Sequence, residues 1–239
     1  MTVAETRTTA FPDWLDGWFR RLPEAALQEE VIEAAGGPGQ VALIGVDLLI
    51  GFCCEGRLAS PRVGALVPRI TDLFSRAHAA GVRQFVLTQD SHPPDAPEFR
   101  EFGPHCIAGT REAETVPELL ALPFARELTV IRKRSLSSAE SAELPAWLEA
   151  RPDLKRVVVV GDCTDLCVYQ AAMHLRLRAN AAGNRAFEVV VPADCVETYD
   201  LPVAAAARLG AMPHDGELMH RLFLYHMALN GVQVVRSLR

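Results

Sequence analysis

The chain has 239 residues, 49% of them hydrophobic and 23% charged, and a formal net charge of −6. That balance suits one globular α/β domain with a short extension and gives no sign of a nucleic-acid or anionic-membrane partner. No apolar run is long enough to span a membrane; the best candidate, VALIGVDLLIGF, is short and holds Asp47.

The first residues, MTVAETRTTAFPDW, lack a basic region followed by an apolar run, so no secretory signal is expected and the default setting is the reducing cytoplasm. The six cysteines, Cys53, Cys54, Cys106, Cys163, Cys167 and Cys195, are then expected as free thiols. Cys163 and Cys167 are four apart, which departs from the redox C-x-x-C spacing, and no second cysteine cluster suggests structural zinc.

Residues 11–35 read as helical, with Trp14, Trp18, Leu22 and Leu27 on an interrupted apolar face that Pro23 breaks in two. GGPGQ at 36–40 marks a boundary. Residues 1–40 are therefore expected to be a helical extension packed on the domain or on another subunit, and residues 41–239 the domain itself. From Val41 onward, short apolar runs rich in Val and Ile fall at 41–50, 83–89, 127–131, 156–161, 187–192 and 232–235. Helical patterns separate them at 63–80, 141–150, 165–179, 200–210 and 215–229. This alternation predicts a six-stranded parallel sheet with helices on both faces, a Rossmann-type three-layer α/β/α arrangement.

Ligands of such sheets sit outside the carboxyl ends of the strands. Asp47 lies late in the first run, Asp90 and His92 follow the second, Lys133 the third, and the segment from Asp162 to Cys167 the fourth. All four sets are predicted to share one edge.

In VVVVGDCTDLCVYQAAMHL a buried strand leads through a tight turn into a helix, with Asp165 as a plausible helix-start residue and Cys167 in the first turn. Free N–H groups there favour a thiolate and would also hold an oxyanion. Position alone leaves Cys167 open to two readings, a nucleophile or an inert core cysteine. Asp47 is a lone carboxylate in an apolar run, which is costly unless it is used or satisfied by amides. Lys133, in IRKRS, reads by itself as a solvated surface lysine. In TQDSHPPDAPEFREFGPHC, the pair Asp90 and His92 at a strand end points two ligands to one side, and imidazole with carboxylate suits zinc, manganese or iron(II). By itself this pair reads more readily as a polar loop, and the later PHC, seven residues after Glu98, strengthens the metal reading.

GVDLLIGF, IRK and VGDCTDLCV, in this order, resemble the isochorismatase-like cysteine hydrolases and, more narrowly, the nicotinamidases. VDLLIGFCCEGRLAS, PHCIAGT, ETYDLPV and HDGELMHRLFLYHM are most similar to the plant-type branch. The resemblance covers about residues 41–235. It implies an Asp47–Lys133–Cys167 triad, a cis peptide before Cys163, and an oxyanion hole formed by the N–H groups of Cys163 and Cys167. It further implies one divalent metal, zinc first and manganese or iron as alternatives, held by Asp90, His92 and His105 with Glu98 as a further ligand. That metal would bind the ring nitrogen of nicotinamide, and Phe52 and Phe102 would sandwich the ring, unless those two are ordinary core. A cytoplasmic homo-oligomer with a small amide substrate, and no nucleic-acid or membrane partner, is the expectation.

Three positions depart from the commonest nicotinamidase pattern. Leu49 stands where Gln is frequent, Phe102 where Trp is frequent, and Leu136 where an aromatic is common. They keep open a related carboxamide or ureido hydrolase, and fold alone would also admit a non-catalytic binding protein. His78, His174, His214, His220 and His226 are read as surface, core or capping residues.

Overall fold

A computed structural model describes residues 7–239; residues 1–6 of the expected extension lie outside it. The predicted alternation forms a parallel sheet with strands β1 (Val41–Val46), β2 (Gln84–Asp90), β3 (Thr129–Lys133), β4 (Arg156–Asp162), β5 (Glu188–Pro192), β6 (Val196–Glu197) and β7 (Gln233–Val235). Six of the seven are the predicted runs. The two-residue β6 pairs beside the end of β4, where Gly161 and Asp162 face Val196 and Glu197. The main order is β3-β2-β1-β4-β5-β7.

Side-chain alternation divides the core in two. Leu43, Phe85, Leu87, Val158, Val160 and Val190 pack on one face with Ile70, Leu73 and Phe74 of the Val67–Ala79 helix. Ile44, Val86, Val157, Val159, Val189 and Val191 pack on the other with the helices Glu143–Glu149, Cys167–Ala181 and Gly216–Leu229. Since successive residues of a strand face opposite sides, a strand covered on both faces must be apolar throughout, and β1 and β4 are buried along their whole length.

The Arg7–Arg20 helix is followed by a π-helical turn at Leu27–Glu33, so the chain does break around Pro23. Leu27, Val31 and Ile32 join the core that contains Phe74, and Leu22 joins the opposite one. Ala25 pairs in parallel with Leu238, its N–H donating to Ser237 O at 3.0 Å and its carbonyl accepting from Arg239 N–H at 2.9 Å. No helix among the described residues is long and apolar enough to cross a membrane. All six cysteines are free.

The strand order reverses between β1 and β4, which places a crevice beyond their carboxyl ends. Chain geometry sharpens there. β1 stops at Val46, so Asp47 lies just beyond the strand instead of within it; its φ of 51° is in the left-handed region that Asp tolerates. At the end of β4, Gly161 has φ 113° and the Asp162–Cys163 peptide is cis.

Candidate active site

Lys133 is the centre of the site. β3 is an edge strand in which Ile131 and Lys133 are buried while Arg132 and Arg134 are exposed. This is the two-residue period of a strand, and it turns one lysine of a basic run inward. The isolated reading of Lys133 as a surface residue is thus corrected: it is 2% exposed. Its Nζ lies 2.8 Å from Asp47 Oδ2, 2.6 Å from Asp90 Oδ1 and 3.3 Å from Cys167 Sγ. Asp90 and Lys133 are direct partners in the β2–β3 register, so sheet pairing itself makes the contact. The Asp90 N–H donates to Asp47 Oδ1 at 2.8 Å, while Oδ2 has the close ion pair with Lys133 but no aligned hydrogen bond.

Electrostatics follow from burial. Burial, then the neighbouring Asp90, pushes the Asp47 carboxyl up to about 6, against the pull of Lys133. Burial would lower the Lys133 ammonium, but Asp47, Cys167 and Asp90 together hold it well above the ordinary lysine range. Burial pushes the Cys167 thiol well up, with Lys133 pulling it down. Burial thus works against a thiolate at this sulfur, while Lys133 and the helix-start position favour one. Asp47 shares the Lys133 ammonium with this sulfur, and a carboxyl raised to about 6 has the acidity suited to proton transfer near neutral pH.

The helix carrying the sulfur starts at Cys167, one residue later than an Asp165 cap would place it. Asp165 does not cap; its carboxylate binds His214 Nε2 at 2.8 Å. The N–H groups of Cys163 and Cys167 donate to no backbone or side-chain acceptor among the described residues. Both residues face the same cleft, which leaves the two donors free for an oxyanion.

Beside the triad, Asp90, His92, Glu98 and His105 bring one ligand atom each to within 4.8 Å of one another. His92 Nε2 lies 3.4 Å from Asp90 Oδ1 and 3.8 Å from Glu98 Oε1; His105 Nε2 lies 3.8 Å from Asp90 Oδ2 and 4.0 Å from Glu98 Oε1. The two loops meet through backbone bonds, His92 N–H to Cys106 O and Ala108 N–H to His92 O. These residues fit a metal ion. His92 is fully buried with neither ring nitrogen bonded, and Glu98 Oε1 is also buried without a partner. His105 Nδ1 is 2.8 Å from Gly103 O, an arrangement in which Nδ1 carries the proton and Nε2 is free to ligate.

A small cleft lies between these groups and opens to solvent. Its walls include Phe52 and Phe102 together with Leu58, Leu136, Leu166 and Tyr199. Residues 41–221 match the Isochorismatase domain. The chain belongs to the isochorismatase family. Over 212 residues it is 34% identical to Nicotinamidase 1 of Arabidopsis thaliana, covering 83% of this chain and 86% of that protein. It is 29% identical over 228 residues to a nicotinamidase of Acinetobacter baylyi, covering 82% and 92%. Among solved structures, the nicotinamidase of Bacillus subtilis aligns with a TM-score of 0.63 at 25% identity, over 82% of this chain and 99% of that one. A zinc complex of the Pyrococcus horikoshii pyrazinamidase aligns with a TM-score of 0.61 at 25% identity, over 82% and 99%.

Four further residues lie at or against this site without a role assigned to them from the sequence, although Asp162 is placed on this edge there as part of the Asp162–Cys167 segment and His214 and His220 are read as surface, core or capping residues. Asp162 is 1% exposed and lines the cleft; burial, then Asp47, raises its carboxyl well above the usual range. Nothing in VVVVGDC separates it from a strand-end turn residue. Tyr199 lines the cleft from beyond β6, and a two-residue strand leaves no periodic signal to place it. His214 and His220 are buried against the Cys163–Cys167 turn, His220 Nδ1 lying 2.9 Å from Thr164 Oγ1. They lie about 50 residues from that turn in the chain, so only the fold joins them.

Proposed function

We propose that the chain is a nicotinamidase that hydrolyses nicotinamide to nicotinate and ammonia through a Cys167 thioester, feeding NAD salvage. The observation that carries this reading is Lys133. A single buried ammonium touches the sulfur, the carboxylate beside it and Asp90 of the ligand cluster, and Cys167 lines one small cleft together with Asp90, Glu98 and His105. A planar ring bearing a carboxamide would set its ring against the ligand cluster and its carboxamide against the sulfur, matching the order of the groups.

In this mechanism Asp47 takes the Cys167 proton as the sulfur bonds to the carboxamide carbon. The N–H groups of Cys163 and Cys167 receive the oxyanion, and Lys133 holds Asp47 in place. Asp47 gives the proton to the nitrogen as the C–N bond breaks, and ammonia leaves. Water then attacks the thioester, Asp47 accepts its proton, the C–S bond breaks and the thiol is restored. Asp90, His92 and His105, with Glu98, would hold the divalent metal, zinc first, and when bound it supplies a Lewis-acidic contact for the ring nitrogen that orients the substrate. Phe52 and Phe102 flank the ring.

Ammonia release should be measured over nicotinamide, pyrazinamide, carbamoyl and ureido substrates, with Cys167→Ala alongside. Nicotinamide is expected to be cleaved best, and the variant to be folded and inactive. A folded Cys167→Ala protein with full activity would remove Cys167 from the mechanism, and preference for a ureido substrate would replace the nicotinamide assignment.

A further inference from the structure

The His214 ring lies 2.8 Å from Asp165 Oδ2 through Nε2 and 2.9 Å from the Tyr199 carbonyl oxygen through Nδ1. Both partners are acceptors, and a neutral imidazole has only one N–H to offer. The geometry therefore calls for the doubly protonated ring. The same ring stacks on the Tyr199 side chain, with centroids 4.0 Å apart and an interplanar angle of 16°. Two backbone bonds between Leu201 and His214, of 2.7 and 2.9 Å, form an isolated antiparallel bridge that fixes the segment presenting it. The charged groups facing it are Asp165 from the turn and Asp200 from the segment after β6.

The two ends of this arrangement both reach the cleft. Tyr199 is part of its wall. Asp165 stands midway between Cys163 and Cys167, whose N–H groups are unengaged. We propose that His214 is a positioning residue that locks the Tyr199 wall to the Cys163–Cys167 turn, setting at once the seat of the substrate ring and the aim of the two oxyanion donors. This assignment rests on the nicotinamidase reading above. Neither the triad nor the ligand cluster includes His214, Asp165 or Tyr199.

The test is steady-state ammonia release from nicotinamide by the wild type, His214→Phe, Asp165→Asn and the double variant, each with a thermal melt. Phe keeps the stack on Tyr199 but removes both donors; Asn keeps the shape of Asp165 but removes its charge. Because displacements of about 1 Å can cost on the order of 100-fold in rate, His214→Phe is expected to lower kcat by at least about tenfold and to raise KM several-fold. Asp165→Asn should lower kcat with little change in KM, since the Tyr199 end stays tied. The double variant should be no worse than His214→Phe, because both changes remove one shared bond. Folded variants with wild-type kcat and KM, even with a lowered Tm, would overturn the proposal by leaving His214 a purely structural role. If His214→Phe does not fold, Asp165→Asn decides: a reduced kcat supports the proposal and an unchanged kcat overturns it. A wild type that releases no ammonia from nicotinamide overturns the activity itself and this assignment with it, whereas an active wild type with unaltered variants overturns this assignment alone.

Discussion

Lys133 has almost no water contact and three partners, so its removal should act on stability and chemistry together. Lys133→Met fills much the same space but strands Asp47 and Asp90 as buried carboxylates without a countercharge. Breaking a buried pair from one side costs about 3–5 kcal/mol, and losing a positioned acid–base arrangement costs on the order of 100-fold or more in rate. A large drop in Tm with near-complete loss of ammonia release is expected; a variant that melts like the wild type would mean that the lysine is not the counterion of this site. The Asp165–His214 pair permits a pH prediction. Burial would lower the His214 ring, but Asp165 raises it above its ordinary value; burial would raise Asp165, but His214 and Thr198 lower it. The histidine contribution is complete below its unfolded value of about 6.5 and fades as pH rises through the higher folded one. The aspartate contribution is complete above its unfolded value of about 3.9 and fades as pH falls through the lower folded one. The Tm gap between wild type and His214→Phe should therefore be widest from about pH 4 to 6.5 and should narrow toward alkaline pH. A gap that grows with pH across that range would contradict the pairing.

At the scale of elements, what could be read in advance was whatever repeats along the chain. The apolar runs of β1, β4 and β5 announce strands covered on both sides, and the edge where Asp47, Asp90, Lys133 and Asp162 gather follows from that alternation alone. IRKRS already contained the rule that buries Lys133, since its neighbours Arg132 and Arg134 must face the other way. What lacked a signal was made by single residues and by contacts between distant segments: the end of β1 at Val46, the two-residue β6, and the His214 ring beneath Tyr199. Gly161 is the most testable of these. A Cβ built there would lie 2.0 Å from Val46 O, and its φ of 113° is a region that side chains avoid. Its register partner in the sheet is Val46 itself, so neither strand can yield without opening the β1–β4 pairing that frames the crevice. Gly161→Ala is expected to destabilise by at least about 2 kcal/mol, from backbone strain and the clash together. Urea unfolding measures this directly, and an unchanged midpoint would show that the strand end relaxes at no cost.

At the scale of the whole molecule, the C-terminal residues close on the segment around residues 23–27. Leu27 N–H donates to Arg239 O at 2.8 Å, Arg236 N–H donates to Pro23 O at 2.6 Å, and Ala25 pairs with Leu238. The broken helical pattern of residues 11–35 was visible in the sequence, but its placement was not, because an amphipathic segment does not say which surface it covers. The structure packs Leu27, Val31 and Ile32 under the helix that bears Phe74, and Leu22 against the opposite core. We infer that this segment is part of the folding unit although GGPGQ punctuates the chain behind it. Each of these four side chains is at most 5% exposed, and burying one contributes roughly 1.5–3 kcal/mol. Their sum, roughly 6–12 kcal/mol, is comparable to the whole stability of an ordinary domain, about 5–15 kcal/mol. A chain beginning at Gln40 is therefore expected to lose its cooperative thermal transition and its ammonia release together, although no residue of the triad or the ligand cluster is removed. A truncated protein that melts cooperatively within a few degrees of the full chain would make the segment an appendage, and the core around Phe74 would then have to close without it.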